Sequence, residues 1–362
     1  MFRNHRITIR WLALTAACSI VFSLRIAHAG PRSNAQGLWV ANENYISEFQ
    51  GSALESSGAP DARHTFGIKD YLDPFSIAFD HHDNLWITDL SDLRGGDVAI
   101  MEVRHTDVAS LKRGSMAKRR LITPNGVGVK NTGWLGIDFD AAGDLFVSNT
   151  GQQFLEVPRN RLEKKRPSPS IVVSLPGSTF IPGAIRFGAS DNLWVVAAGV
   201  SQLLRFAPGD RAASGPPEPG LTVNLPDFFI VMDLSFDRSG NLWLAGLALQ
   251  GMGPFIDEVE MISAADLAGT GSIFPSVSLT ITSSVFGSGP CLGGIDFDRS
   301  GDLWVSVVGS NGVCEADTQL VEFTPSQLST GGNLTPSVTI GQNSTKTNLA
   351  FPGPIRFGPS LK

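Results

Sequence analysis

The chain of 362 residues carries little charge, with Asp, Glu, Lys and Arg making up 17% of it against 42% hydrophobic. That excludes a disordered polyelectrolyte and leaves enough apolar material for one large core. There is no G-x-S-x-G elbow for a serine nucleophile and no P-loop for a phosphate chain. The Gly-rich stretch "GVGVKNTG" at 126–133 precedes a strand rather than opening a helix, so it does not make a phosphate cradle. Histidine is absent beyond His105, which leaves most of the chain without the usual general base. Beyond residue 29 no stretch is long and apolar enough to span a bilayer.

The first 29 residues read as an export signal. Arg3, Arg6 and Arg10 form a basic start, "WLALTAACSIVFSL" is a short apolar run, and "AHA" at 27–29 supplies the small-x-small cleavage pattern. Cleavage after Ala29 removes four arginines, Arg3, Arg6, Arg10 and Arg25. The formal charge then moves from −6 to −10, with 24 basic residues against 34 acidic. An acidic, exported, monomeric protein is expected, secreted or periplasmic, with a protein or small molecule rather than nucleic acid as its partner. Of three cysteines, Cys291 and Cys314 remain after cleavage. They flank two strands of one repeat, on the same side, so a disulfide between them is expected in an oxidising compartment.

What the chain has is repetition. "GIDFDAAGDLFVSNT" at 136–150 returns as "GIDFDRSGDLWVSVV" at 294–308. Looser copies start at Ser76, Ala184 and Asp233. In each copy a Phe precedes a Trp or Phe by seven residues: Phe79 and Trp86, Phe139 and Phe146, Phe187 and Trp194, Phe236 and Trp243, Phe297 and Trp304. "GLWVANEN" at 37–44 is a second half alone, and "PIRFGPS" at 354–360 is a first half alone. Self-similarity at such a spacing points to a repeat architecture.

Each copy alternates like a strand, turns, and runs back. The turn opens on Asp80, Asp140, Asp237 or Asp298, whose carboxylate bonds to backbone N–H groups two residues on. Its fourth position is Gly143, Gly240, Gly301, Asp83 or Asp191, residues that tolerate positive φ. Two further strand patterns follow every hairpin. The expectation is therefore an all-β, six-bladed β-propeller of four-stranded antiparallel blades over residues 30–362. The C-terminal inner strand is expected to pair with the N-terminal strands and close the ring. The aromatic positions are expected between blades, as core.

The phrase resembles that of the NHL-repeat and streptogramin-lyase-like six-bladed propellers, a superfamily with gluconolactonase-like relatives. The resemblance spans the chain beyond the leader. It implies a site on the channel-mouth face, where inner strands start and second strands end. It also leaves two kinds of function open: a non-enzymatic binding module, or a metal-dependent lyase or lactone or ester hydrolase using Ca2+ or Mg2+.

We number the blades so that blade 1 is the composite one. Mouth candidates are then Asn42, Glu43, Asp73, Asp89, Asp92 and Asn149 on blades 1 to 3, with Asp227 and Asp233 on blade 5. Carboxylates with amide oxygens are the donor types of a hard cation. The lyases of the group resemble a design with a mouth histidine beside a metal, and no histidine here lies past the second blade. The hydrolases resemble one with a metal-binding Glu just before an inner strand, and no repeat here has it. The middle of the inner strand reads Arg356, Ala78, Asp138, Arg186, Ser235 and Asp296 round the ring. Two inter-blade ion pairs are therefore expected, Asp138–Arg186 and Asp296–Arg356.

Overall fold

The repeated phrase folds as a hairpin because its turn satisfies itself. Asp80 Oδ1 accepts from the N–H groups of His82 at 2.8 Å and Asn84 at 2.9 Å. Asp140, Asp237 and Asp298 repeat this with Ala142 and Asp144, Ser239 and Asn241, and Ser300 and Asp302. The fourth position takes positive φ as its residue types require, 64° at Asp83 and 90° at Gly301. The second oxygen of the same carboxylate then reaches into the core. Asp80 and Asp237 accept the indole N–H of Trp86 and Trp243, each at 3.0 Å. In blade 3 the aromatic is Phe146, which has no such donor. There Arg211 pairs with Asp140 at 3.7 Å and lies over the rings of Phe146 and Phe187, 4.7 and 5.0 Å from their centroids.

The structure, a computed structural model, describes residues 36–42, 45–67, 74–89, 100–109, 120–122, 133–164, 167–175, 181–225, 228–249, 255–275, 279–286, 291–308, 317–341, 349 and 352–360. They form six sheets. Blade 2 holds Pro74–Phe79, Leu85–Asp89, Ile100–Val103 and Arg120–Ile122; blade 3 holds Trp134–Phe139, Leu145–Asn149, Gln153–Val157 and Ile171–Ser174. Blade 4 runs Ile181–Phe187, Leu193–Ala198, Gln202–Phe206 and Leu221–Asn224. Blade 5 runs Phe228–Phe236, Leu242–Leu249, Phe255–Ile262 and Leu279–Thr282. Blade 6 runs Leu292–Phe297, Leu303–Val307, Gln319–Phe323 and Val338–Gly341. Blade 1 is the composite: its inner strand Pro352–Pro359 pairs with Gln36–Asn42, and Tyr45–Phe49 and His64–Gly67 complete it. Trp39 stands opposite Arg356 in that closing ladder.

The seven-residue aromatic spacing is explained by packing between blades. The aromatic of each second strand meets the Phe of the next inner strand: Trp39 with Phe79, Trp86 with Phe139, Phe146 with Phe187, Trp194 with Phe236, Trp243 with Phe297, and Trp304 with Phe357. Ring centroids lie 5.0–6.4 Å apart, mostly edge to face. Such pairs contribute about 1 kcal/mol each beyond their burial. The sixth pair fastens blade 6 to the C-terminal inner strand of blade 1, which the closing ladder then joins to Gln36–Asn42.

Four of the six blades have the expected four strands, and blades 4 and 5 carry a fifth. The connector after the third strand of a blade reaches back to the blade before it and adds a short parallel strand to that blade's outer edge. Gly271–Ile273 does so on blade 4 and Gly332–Asn333 on blade 5. Gly58 and Gly215 make single parallel bridges on blades 6 and 3. Sequence patterning misses these because a two- or three-residue strand has no measurable period. No helix among the described residues is long and apolar enough to cross a membrane.

Candidate functional site

The inner strands line the channel. Near the mouth each inner hairpin slips register: after Pro74, Trp134, Pro182, Val231 and Leu292, and in blade 1 between Val40 and Asn42. A bulge bends a strand and strips a carbonyl of its ladder partner. Hydroxyls of the preceding blade take those carbonyls. Ser148 Oγ donates to Gly183 O and Ser306 Oγ to Gly353 O, both at 2.7 Å, and Thr88 Oγ1 donates to Leu135 O. Gly136 and Gly294 sit where the next inner strand comes so close that a Cβ would strike its backbone, at 2.6 and 3.0 Å. The glycine opening the "GIDFD" phrase is thus a requirement of close approach.

The buried charges of the channel wall do not pair as expected. Arg356 Nη1 donates to Asp233 Oδ2 at 3.1 Å, and Arg186 lies 4.0 Å from Asp233 Oδ1. Asp233 therefore collects both arginines. Asp138 instead accepts the N–H groups of Phe139 and Phe187, at 2.9 and 2.8 Å. Asp296 accepts Ser235 Oγ at 2.9 Å and the N–H of Phe357 at 2.7 Å. The reason is geometric. Asp233 lies one rung nearer the mouth, and its counterpart on the intervening blade is Gly294, with no side chain to block Arg356. Burial pushes the carboxyls of Asp138 and Asp296 up, against the pull of Arg186. It pushes Asp233 up to about 7, with Arg186 and the N–H groups of Leu234 and Ile295 opposing.

Of the other mouth candidates, Asn42 and Asn149 end the second strands of blades 1 and 3, and both are buried. Asn149 Oδ1 caps Gly151 N at 2.8 Å and Gln153 N at 3.3 Å, leaving Nδ2 with no partner in the protein. Asn42 Nδ2 donates weakly to Val40 O at 3.4 Å, and its Oδ1 has none. Asp89 ends the second strand of blade 2, between them. Glu43, Asp73, Asp92, Asp227 and Cys314 lie outside the described residues. Sequence reading missed Asp257, which shares a strand face with Val259 and is buried at the mouth end between blades 5 and 6. Its Oδ2 accepts Cys291 N at 2.9 Å, while Oδ1 has no partner. Burial pushes this carboxyl up to about 7, against its hydrogen bonds from Cys291 and Leu292. An acid on the apolar parity of "IDEVEMI" was the available signal.

The described donors among these do not come together around a hard cation. Asp233 is consumed by arginines, Asn149 Oδ1 by backbone, and no His, Cys, Asp or Glu cluster suited to a metal occurs among the described residues. A separate cleft of about 430 Å³ lies on the opposite face, between the turns of blades 2 and 3, lined by His81, His82, Asp144 and Arg159 among others. The two imidazoles lie 3.8 Å apart, centroid to centroid, with their planes tilted by 46°. Burial, with His82 and Arg159 nearby, holds the His81 imidazole below its usual pKa. Two of the cleft's carboxylates are already engaged, Asp80 in its turn and Asp144 with Arg159 N at 2.7 Å.

No protein-family model and no curated protein matches the chain. Solved structures do. A protein of unknown function from Bacteroides caccae superposes with a TM-score of 0.53 at 11% identity, over 90% of this chain and 100% of its own. A protein from Lactobacillus plantarum gives 0.51 at 12%, over 89% and 99%. Streptogramin B lyase gives 0.46 at 13%, over 89% and 92%. At such identities the likeness is one of fold, and this chain is similar to six-bladed β-propellers of that kind.

Proposed function

We propose that this protein is an exported, non-catalytic binding module that takes a small molecule or a segment of another protein at the channel mouth. One observation carries the reading. Asn42, Asn149 and Asp257 place partnerless buried polar atoms at the mouth end of alternating blades, 1, 3 and 5. Leaving a buried polar atom unpaired costs about 1–3 kcal/mol. A group that is not the protein's own relieves that cost. Export brings with it the Cys291–Cys314 disulfide, which a free-thiol assay checks.

The test is melting in the presence of oligosaccharides, short peptides, lactones, Ca2+ and Mg2+. The expected result is a saturable rise with one organic class, lost in Asn149→Asp, which keeps the turn acceptor but removes the free donor. A panel without a shift, or shifts untouched by mouth substitutions, overturns the reading. The metal-dependent lyase or hydrolase reading has one specific support, the near-neutral carboxyl of Asp257, suited to proton transfer. A saturable Ca2+ or Mg2+ shift together with lactone turnover lost in Asp257→Asn would put it first.

A further inference from the structure

The chain has 22 phenylalanines and seven tryptophans but only two tyrosines. Nearly all its described aromatics are packed between blades. Only two large hydrophobic side chains among the described residues are exposed, Phe274 and Tyr45, and Tyr45 is 42% exposed. Tyr45 opens the third strand of blade 1, directly opposite Asn42 across the hairpin at the mouth. Directly opposed residues of an antiparallel pair project on the same side of the sheet. The same side carries Val40 and Phe49 into the core shared with blade 6. An exposed ring with a polar tip therefore stands beside a buried amide oxygen that no protein group satisfies.

We propose that Tyr45 and Asn42 form a subsite for a neutral saccharide; this rests on the mouth-face reading above. A pyranose ring offers an apolar C–H face for stacking on tyrosine and hydroxyl donors for the amide oxygen of Asn42. Both needs are met by one residue pair, and neither is met by the protein itself. The formal charge, −6 for the whole chain and −10 without the leader, disfavours sulfated or uronic chains. A phenol, unlike a second Phe, keeps a donor at the wet edge of the stack.

The test is calorimetric titration of the purified protein with hexasaccharides of glucose, xylose, mannose and N-acetylglucosamine. At least one is expected to bind saturably. Tyr45→Ala should weaken it about tenfold, as the loss of an aromatic anchor does. Tyr45→Phe should stay within about threefold, Asn42→Ala should weaken it, and Phe274→Ala should change nothing. Melting of each variant checks the fold. Saccharide binding indifferent to Tyr45→Ala overturns the subsite. Saccharides that fail while a peptide or lactone gives a shift lost in Asn149→Asp overturn the ligand class and leave the mouth-face reading standing. Failure of every class overturns both.

Discussion

The turn face and the mouth face are ends of the same strand pairs, yet they are built on opposite terms. At the turn face the phrase is nearly constant, and its turn-opening carboxylates bond within their own hairpins, as Asp237 does with Ser239, Asn241 and Trp243, although the indole N–H of Trp304 is left without a partner. At the mouth the blades diverge. Strand ends carry Asn42, Asp89 and Asn149 on three blades and apolar residues on the rest, and polar atoms are left over. Repetition here encodes architecture, and the mouth is where the chain departs from it.

That contrast breaks first if the ring is not one cooperative unit. Removing residues 352–362 deletes the closing ladder and the Trp304–Phe357 contact. Loss of sharp two-state unfolding in calorimetry is expected. A truncated chain melting as sharply and as late as the intact one would refute the closed ring.

The channel wall comes next. Arg356→Met leaves Asp233 buried with Arg186 alone, and should cost about 3–5 kcal/mol in urea titration. An effect below about 1 kcal/mol would make the arginine cluster a ligand grip rather than a structural lock. On the turn face, Asp237→Ala strips acceptors from two backbone N–H groups and from buried Trp243, at about 2–3 kcal/mol by the same assay.

The mouth should respond to pH instead. The Asp257 carboxyl is raised in the folded state, so the native protein holds a proton that the unfolded chain has released. Stability should therefore fall as pH rises from about 4 to about 7 and level off above. Asp257→Asn should flatten that slope and raise stability at pH 8 by on the order of 2 kcal/mol. Asp233 acts in the same direction. Stability that climbs over that window would assign the free oxygen of Asp257 to an unseen cationic partner. The smallest effect is Asn42→Leu, a gain of about 1 kcal/mol in stability, since it removes an unpaired buried oxygen at the loss of one weak bond. A large loss there would make the mouth as self-contained as the turn face.

The ring, its closure and its turns were legible because each is written in local chemistry: a period, a turn-forming Asp, a residue free to take positive φ. The aromatic positions were legible as core between blades, but not that each second-strand aromatic meets the Phe of the next inner strand. The ion pairs were placed one rung wrong. Strand register shows which residues share a level of the channel, but not that Gly294 leaves an opening through which Arg356 reaches a carboxylate two blades away. Asp257 escaped notice because its partner, Cys291 N, belongs to the next repeat, 34 residues on.

The connectors that reach back along the rim give the disc a second fastening. Gly271–Ile273 and Gly332–Asn333 tie neighbouring blades at their outermost strands, while the aromatic pairs tie them near the axis. A segment that looks like an ordinary surface loop, and would be chosen for a tag or an insertion, is on this fold a tether, and lengthening it would free two neighbours to hinge apart. Foreign sequence is better grafted elsewhere if the wheel is to stay rigid.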